Sequence, residues 1–193
     1  MKKVLFILPL LFWIGCEDDE NDGLPEILSL TFIQSTPCNN YRYGSSAVSY
    51  ENEIYLIGGA HESTYYTTIE RLDETNNQWI ELNNQVIGRR YLTAEVVNGV
   101  IYIIGGQISG GIVVGTVQAY NIADNTITNV ASIPTKRAHL GSIVYDNKIY
   151  VIGGYMYEAG WANGQRTDVV EVYDPTSNSW STLASMPTAR ECD

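Results

Sequence analysis

The sequence predicts an all-β chain built from repeated four-stranded antiparallel units, and three observations predict it. An apolar run closed by two glycines recurs in phase: IYLIGGA from Ile54, IYIIGGQ from Ile101 and IYVIGGY from Ile149, at spacings of 47 and 48 residues. A fixed period of that size marks stacked supersecondary units, each too small to bury its own apolar face. The links between runs are rich in Asp, Asn, Gly and Pro, which favour turns. No segment sustains the 3.6-residue hydrophobic period of a helix.

Each unit then reads element by element. SSAVSY from Ser45, LTAEVV from Leu92 and LGSIVY from Leu140 form first strands, and the short polar turns ENE, NG and DNK join them to the apolar runs as β-hairpins. The apolar runs are second strands, and their lack of alternation predicts burial on both faces. Glycines at their ends permit positive φ and close backbone approach. TTIERLD, VQAYN and VVEVYD are third strands, and DETNN, ADNT and DPTSN turn the chain into fourth strands. Trp79, Ile127 and Trp180 lie in those fourth strands, seven residues after Leu72, Tyr120 and Tyr173. A bulky residue there covers the gap to a neighbouring unit, and losing it costs about 3 to 5 kcal/mol. Arg89, Arg137 and Arg190 follow ten residues later. Counting back from Arg42 reaches Phe32 in ILSLTFIQ, which predicts a lone fourth strand before the first unit. The units span about 41–83, 88–131 and 136–185, with the start of a fourth over 186–193.

The double glycine after an apolar strand, the Tyr173-Asp174-Pro175 turn and the spaced Trp180 are similar to kelch repeats. The third unit carries every hallmark; the second has Ile127 for Trp and the first has Leu72 for Tyr. The resemblance implies a β-propeller over 28–193, made of kelch-type four-stranded blades of which about three are complete. Propellers close with about 4 to 8 blades. Two expectations follow: either these blades belong to a longer reading frame, or incomplete propellers pair.

MKKVLFILPLLFWIGC joins two lysines to an apolar run from Val4 to Ile14 and then to Gly15 and Cys16. The run is too short to span a bilayer and reads as a secretory signal over 1–15. Its end resembles a bacterial lipoprotein box, which implies lipidation at Cys16. Two or more acyl chains make such an anchor stable. EDDEND after Cys16 reads as a solvated tether over 16–27. It also resembles the acidic export signal of surface lipoproteins in Bacteroidota, which implies an outer-membrane lipoprotein of the cell envelope, displayed outside the cell. The only membrane contact expected is this anchor.

The chain carries 22 acidic and 11 basic residues, a formal charge of −11, which argues against nucleic acid as a partner. His61 and His139 are the only histidines and neither shows ligand spacing, so neither metal nor cofactor is expected. No Ser/His/Asp array or phosphate-binding loop occurs, and no catalytic residue is assigned. Against the acidic background, Arg42, Arg89, Arg90, Lys136, Arg137 and Arg190 all fall in connections entering first strands. In an antiparallel unit those connections share an end with the loops between second and third strands. Those loops hold Tyr65, Tyr66, Tyr155, Tyr157 and Trp161. Guanidinium forks suit carboxylates, and exposed rings suit the apolar faces of sugars. The ligand-binding set is therefore Arg42, Arg89, Arg90, Arg137, Arg190, Tyr65, Tyr66 and Trp161. The competing reading pairs each arginine with a glutamate or backbone carbonyl of the adjacent blade.

Two functions stay open. One is a non-catalytic module binding a carbohydrate, anionic ones included, or a protein. The other is a sugar isomerase, since some bacterial kelch proteins that this chain resembles are sialic acid mutarotases with an arginine-lined pocket. No acid or base repeats with the arginines, except His139 two residues after Arg137, which favours binding.

Overall fold

The computed structural model describes residues 37–38, 40–157 and 164–192. The leader, Cys16, the tether, Phe32 and Trp161 lie outside the described residues.

Three four-stranded antiparallel sheets follow one another in the chain. The first joins β1 (Ser46–Tyr50), β2 (Glu53–Ile57), β5 (Thr68–Asp73) and β6 (Gln78–Gln85), with β3 (Ala60–His61) and β4 (Thr64–Tyr65) forming a short ribbon between β2 and β5. The second joins β7 (Thr93–Val97), β8 (Val100–Ile104), β11 (Val117–Asn121) and β12 (Thr126–Val130), with the ribbon β9 (Gln107–Ile108) and β10 (Ile112–Val113). The third joins β13 (Gly141–Tyr145), β14 (Lys148–Ile152), β17 (Val170–Asp174) and β18 (Ser179–Thr182), with the ribbon β15 (Tyr155–Met156) and β16 (Gln165–Arg166). The segments expected as plain loops between second and third strands therefore carry two-stranded extensions of their own. Within each sheet the strands run as a meander. Between sheets, β7 packs against both β1 and β13, so the first strands gather on the inside.

The local signals act as the chemistry requires. Each first hairpin turns on two residues of positive φ: Glu51 and Asn52 at 49° and 65°, Asn98 and Gly99 at 51° and 76°, Asp146 and Asn147 at 51° and 54°. That is the mirror-image turn whose twist matches paired strands. Burial on both faces, expected of all three second strands, holds for β8, whose sheet has a neighbour on each side, whereas in β2 and β14 buried positions alternate with more open ones because those sheets pack against one neighbour among the described residues. In β8, Ile101 and Ile103 pack with Tyr55, Ile57 and Ile69 of the first sheet, while Tyr102 and Ile104 pack with Ile149, Val151 and Tyr173 of the third. Two apolar cores result, one at each seam.

The glycine pairs have a specific cause. The second glycine of each pair donates its N–H to the carbonyl of the arginine entering the following unit: Gly59 to Arg89 at 2.8 Å, Gly106 to Arg137 at 3.0 Å, Gly154 to Arg190 at 2.8 Å. A Cβ on the first glycine would stand 2.9, 2.6 and 2.5 Å from those same oxygens. Both glycines also sit at positive φ in all three units. A side chain is excluded on both counts, and the pair sets the distance between consecutive sheets.

Candidate functional site

The connections and the ribbons meet at one end of the sheets. Two-way backbone bridges join Tyr43 to Ala60, Arg90 to Gln107 and Ala138 to Tyr155. The arginines expected at this end divide into two kinds.

Arg42, Arg89 and Arg137 turn inward. Arg42 pairs with Glu70 on β5 and donates to the Gly58 carbonyl at 3.2 Å. Arg89 donates to the carbonyls of Ile87, Gly105 and Thr116 at 3.1, 3.1 and 2.9 Å and to Gln118 Oε1 at 2.8 Å. Arg137 pairs with Glu171 on β17 and donates to the Thr135 and Val151 carbonyls, both at 3.1 Å. Arg89 and Arg137 are 0% exposed. Burial pulls the Arg89 pKa down to about 10, and it lowers that of Arg137 against the opposing pull of Glu171. Ligand contact through Arg42, Arg89 and Arg137 is therefore replaced by a structural role, because each guanidinium is spent inside the molecule. The pairing is within each arginine's own sheet, not with the adjacent one. Glu70, Gln118 and Glu171 occupy the same third-strand position, so the polar partner repeats along with the arginine.

Arg90 and Arg190 face outward. Arg190 is exposed and donates through Nε to its own segment, to the Thr188 carbonyl at 3.4 Å. Arg90 donates to Gln107 Oε1 through Nε and Nη2, at 3.0 and 2.9 Å, and to the Tyr43 hydroxyl. Its guanidinium carbon lies 5.4, 5.5 and 5.0 Å from the ring centres of Tyr43, Tyr65 and Tyr91. A guanidinium has five N–H donors. Among the described residues the partners of Arg90 are all neutral, and donors remain for an acceptor from outside. Tyr65 thus stands beside Arg90, whereas Tyr66 lies under Arg42 at 4.2 Å and donates to the Tyr41 carbonyl at 3.3 Å.

Sequence reasoning missed Tyr43, Tyr91 and Gln107 and did not place His139 in the binding set. Tyr91 and His139 stack at 3.7 Å between ring centres, Tyr43 approaches Tyr91 at 6.0 Å and Tyr155 approaches His139 at 6.3 Å. The two stacked residues occupy the position two after the repeat arginine, where the first unit has Gly44. The φ values there are 64°, 55° and 52° for Gly44, Tyr91 and His139. Glycine takes that conformation freely, while a bulky ring does so at a cost of order 1 kcal/mol. The phase of the repeat, read at that one position, is the signal that finds them. The backbone forces this geometry: Tyr91 N–H donates to the Gly44 carbonyl at 2.7 Å, His139 to Tyr91 at 2.9 Å and Cys192 to His139 at 2.8 Å. Beside the stack, Ser46, Thr93, Leu140 and Cys192 help to line a cavity of about 240 Å³. Among the described residues no group of three or more His, Cys, Asp or Glu side chains converges to hold a metal ion, and no helix is long and apolar enough to cross a membrane.

Comparison with known proteins agrees with this architecture. Residues 28–192 match the family model described as the Attractin/LZTR1 beta-propeller. The chain is 32% identical over 164 residues to Kelch-like protein 23 of Homo sapiens, covering 83% of this chain and 27% of that protein. It is 29% identical over 160 residues to Kelch repeat and BTB domain-containing protein 2 of Ectromelia virus (strain Moscow), covering 77% and 28%. The chain thus spans little more than a quarter of the length of these curated relatives. Among solved structures it is similar to YjhT, with a TM-score of 0.65 and 20% identity, over 79% of this chain and 54% of that one.

Proposed function

Since the chain belongs to the kelch-repeat β-propeller family, we propose that it is a non-catalytic binding module whose ligand, a protein or a glycan, presents a carboxylate to Arg90. The observation that carries this reading is Arg90 itself: a half-buried cation held by neutral acceptors, with rings on several sides and donors to spare. Preset guanidinium geometry lowers the ordering cost of a bidentate contact. The strongly acidic remainder of the chain repels anions from other surfaces and so sharpens the choice of site. An isomerase of the sialic acid mutarotase kind is less well supported, because a pocket lined by arginines cannot draw on Arg89 or Arg137, which are fully buried.

A hydrogen bond to a charged group contributes about 1.5 to 3 kcal/mol, or roughly tenfold or more in affinity. Arrays of neutral, uronic and sialic glycans, with an acidic peptide library beside them, test the proposal on wild type and Arg90→Ala. Acidic members should bind, and Arg90→Ala should lose at least about tenfold. Equal binding of neutral and acidic members, or an indifferent Arg90→Ala, refutes the reading.

We also propose that the module is held at the cell envelope by lipid on Cys16, a reading supported by the leader and its following cysteine. Cys16→Ser should abolish labelled palmitate incorporation and move the protein out of the membrane fraction. Unchanged labelling overturns it.

A further inference from the structure

We infer, resting on the reading of Arg90 as the ligand contact, that Gln107 and Tyr43 make its guanidinium a seat for one carboxylate taken end-on. Gln107 is the positioning residue that holds the side edge of the fork, and the Tyr43 hydroxyl is a further donor to the ligand.

The backbone bridge between connection and ribbon repeats in all three units, but its side chains do not. The first unit pairs Tyr43 with Ala60 and the third pairs Ala138 with Tyr155, an aromatic residue opposite an alanine each time. The second unit pairs Arg90 with Gln107. Neither polar side chain is needed to close the bridge, since backbone bonds of 2.9 and 3.0 Å, 3.0 and 2.8 Å, and 3.0 and 2.7 Å close it in the three units.

Gln107 is itself fixed from two sides. Its Nε2 donates to the Gly111 carbonyl at 3.2 Å, and its Oε1 accepts from Arg90 Nε and Nη2 at 3.0 and 2.9 Å. A carbonyl only accepts and a guanidinium only donates, so one orientation of the amide suits both. The tight turn Ser109–Gly111 brings the Gly111 carbonyl into place, with Gly110 and Gly111 at φ of 80° and 76°. Those angles favour glycine and account for the SGG of this ribbon.

What Gln107 leaves open is the end of the fork. Of the five guanidinium N–H donors, Nε and one on Nη2 go to Gln107, and one on Nη1 goes to the Tyr43 hydroxyl. One N–H remains on each terminal nitrogen, and that of Nη2 points off the end of the fork, beside Nη1 and the Tyr43 oxygen. The hydroxyl accepts from Arg90, so its own proton is left for a ligand, and among the described residues it donates to none. The seat thus presents N–H and O–H donors around a single positive charge, with the rings of Tyr43, Tyr65 and Tyr91 about it. A carboxylate, with one charge and two coplanar oxygens, matches that set. A phosphate dianion brings a second negative charge to a seat that holds one cation.

Sensor surfaces carrying glucuronate, or a peptide of alternating Glu and Gly, test the seat in the full chain, each beside a twin whose carboxyl is converted to an amide. Wild type should be retained on an acid surface and not on its twin, and the surface that holds it tells whether a sugar or a peptide supplies the carboxylate. Tyr43→Phe, which keeps the ring, and Gln107→Leu should each weaken that binding on the order of tenfold. Gln107→Glu should weaken it as much, because its own carboxylate neutralises Arg90. A second readout separates these variants. In protein labelled with nitrogen-15 arginine, the Nε–H signal that Arg90→Ala removes should stay sharp in wild type, Tyr43→Phe and Gln107→Glu, and broaden by exchange with water in Gln107→Leu. If Arg90→Ala loses binding while Gln107→Leu or Tyr43→Phe binds as wild type does, the seat is wrong and the reading of Arg90 stands. An Nε–H signal indifferent to Gln107→Leu overturns the positioning role of Gln107. An indifferent Arg90→Ala, or a wild type that ignores both acid surfaces, overturns the seat and the reading of Arg90 together.

Discussion

The second and third sheets fill the same positions with different chemistry. In the second sheet the buried Arg89 meets a neutral Gln118, whereas in the third Arg137 meets the carboxylate of Glu171. The second sheet has Ile127 on its outer strand, which joins the apolar core with the first sheet. The third has Trp180 there, whose indole N–H donates to the Ala131 carbonyl at 2.8 Å, while Asn178 Oδ1 accepts from Ala131 N–H at 2.9 Å. What both share is backbone: the glycine-to-arginine bond, the bridge between connection and ribbon, and the stacked first strands. The difference teaches that the repeat depends on satisfied polar groups and filled volume, and tolerates exchange of the groups that satisfy and fill.

The largest effect should come from breaking the ionic tie. Glu171→Ala strands a fully buried guanidinium and should cost about 3 to 5 kcal/mol in denaturant unfolding. Glu171→Gln copies the second sheet and keeps an acceptor, so it should recover more than half of that loss. If the two variants unfold alike, the neutral and ionic ties are not interchangeable and the comparison fails.

A smaller effect belongs to the outer strand. Trp180→Phe keeps most of the packing and leaves the Ala131 carbonyl without its donor, for a loss of about 1 to 2 kcal/mol. The cost should disappear on the background of a variant that has already lost this seam, a check made by a double-mutant cycle.

The smallest concerns the inner strands, where the second seam holds the carboxyl of Glu95. Ser142 donates to Glu95 at 2.7 Å and is hydrogen-bonded to Thr93. Burial raises the Glu95 pKa, and the Ser142 hydrogen bond partly offsets that shift. A carboxyl whose folded pKa lies above its unfolded value contributes stability that is complete below the unfolded value and lost as pH rises through the folded one. The melting temperature of wild type relative to Glu95→Gln should therefore fall as pH rises out of the ordinary carboxylate range. Parallel curves for the two proteins would show that the buried carboxyl carries no such linkage.

Particular residues show how far the sequence reached. The hairpin turns at Asn98-Gly99 and Asp146-Asn147 were legible because a turn is decided by the φ that its own residues accept. The burial of Ile101 to Ile104 on both faces was legible because an uninterrupted apolar run has no wet side to offer. Arg89 and Arg137 were legible as repeated positions and misleading as ligand contacts. Their environment is set by carbonyls and a third-strand Gln or Glu that lie between 14 and 34 residues away in the chain. Arg90, adjacent in sequence to Arg89, faces the opposite way, and nothing local separates the two.

By itself, then, the sequence determined the β class, the four-stranded unit, its period and its turns, since each rests on the conformational preference and hydrophobic pattern of neighbouring residues. Only the tertiary structure decided which arginines are internal ties and which face outward. It alone stacked Tyr91 on His139 and gave the glycine pairs an arginine carbonyl to receive. Those outcomes depend on which groups from separate units come within bonding distance, and distance in space is a property that the order of residues does not carry.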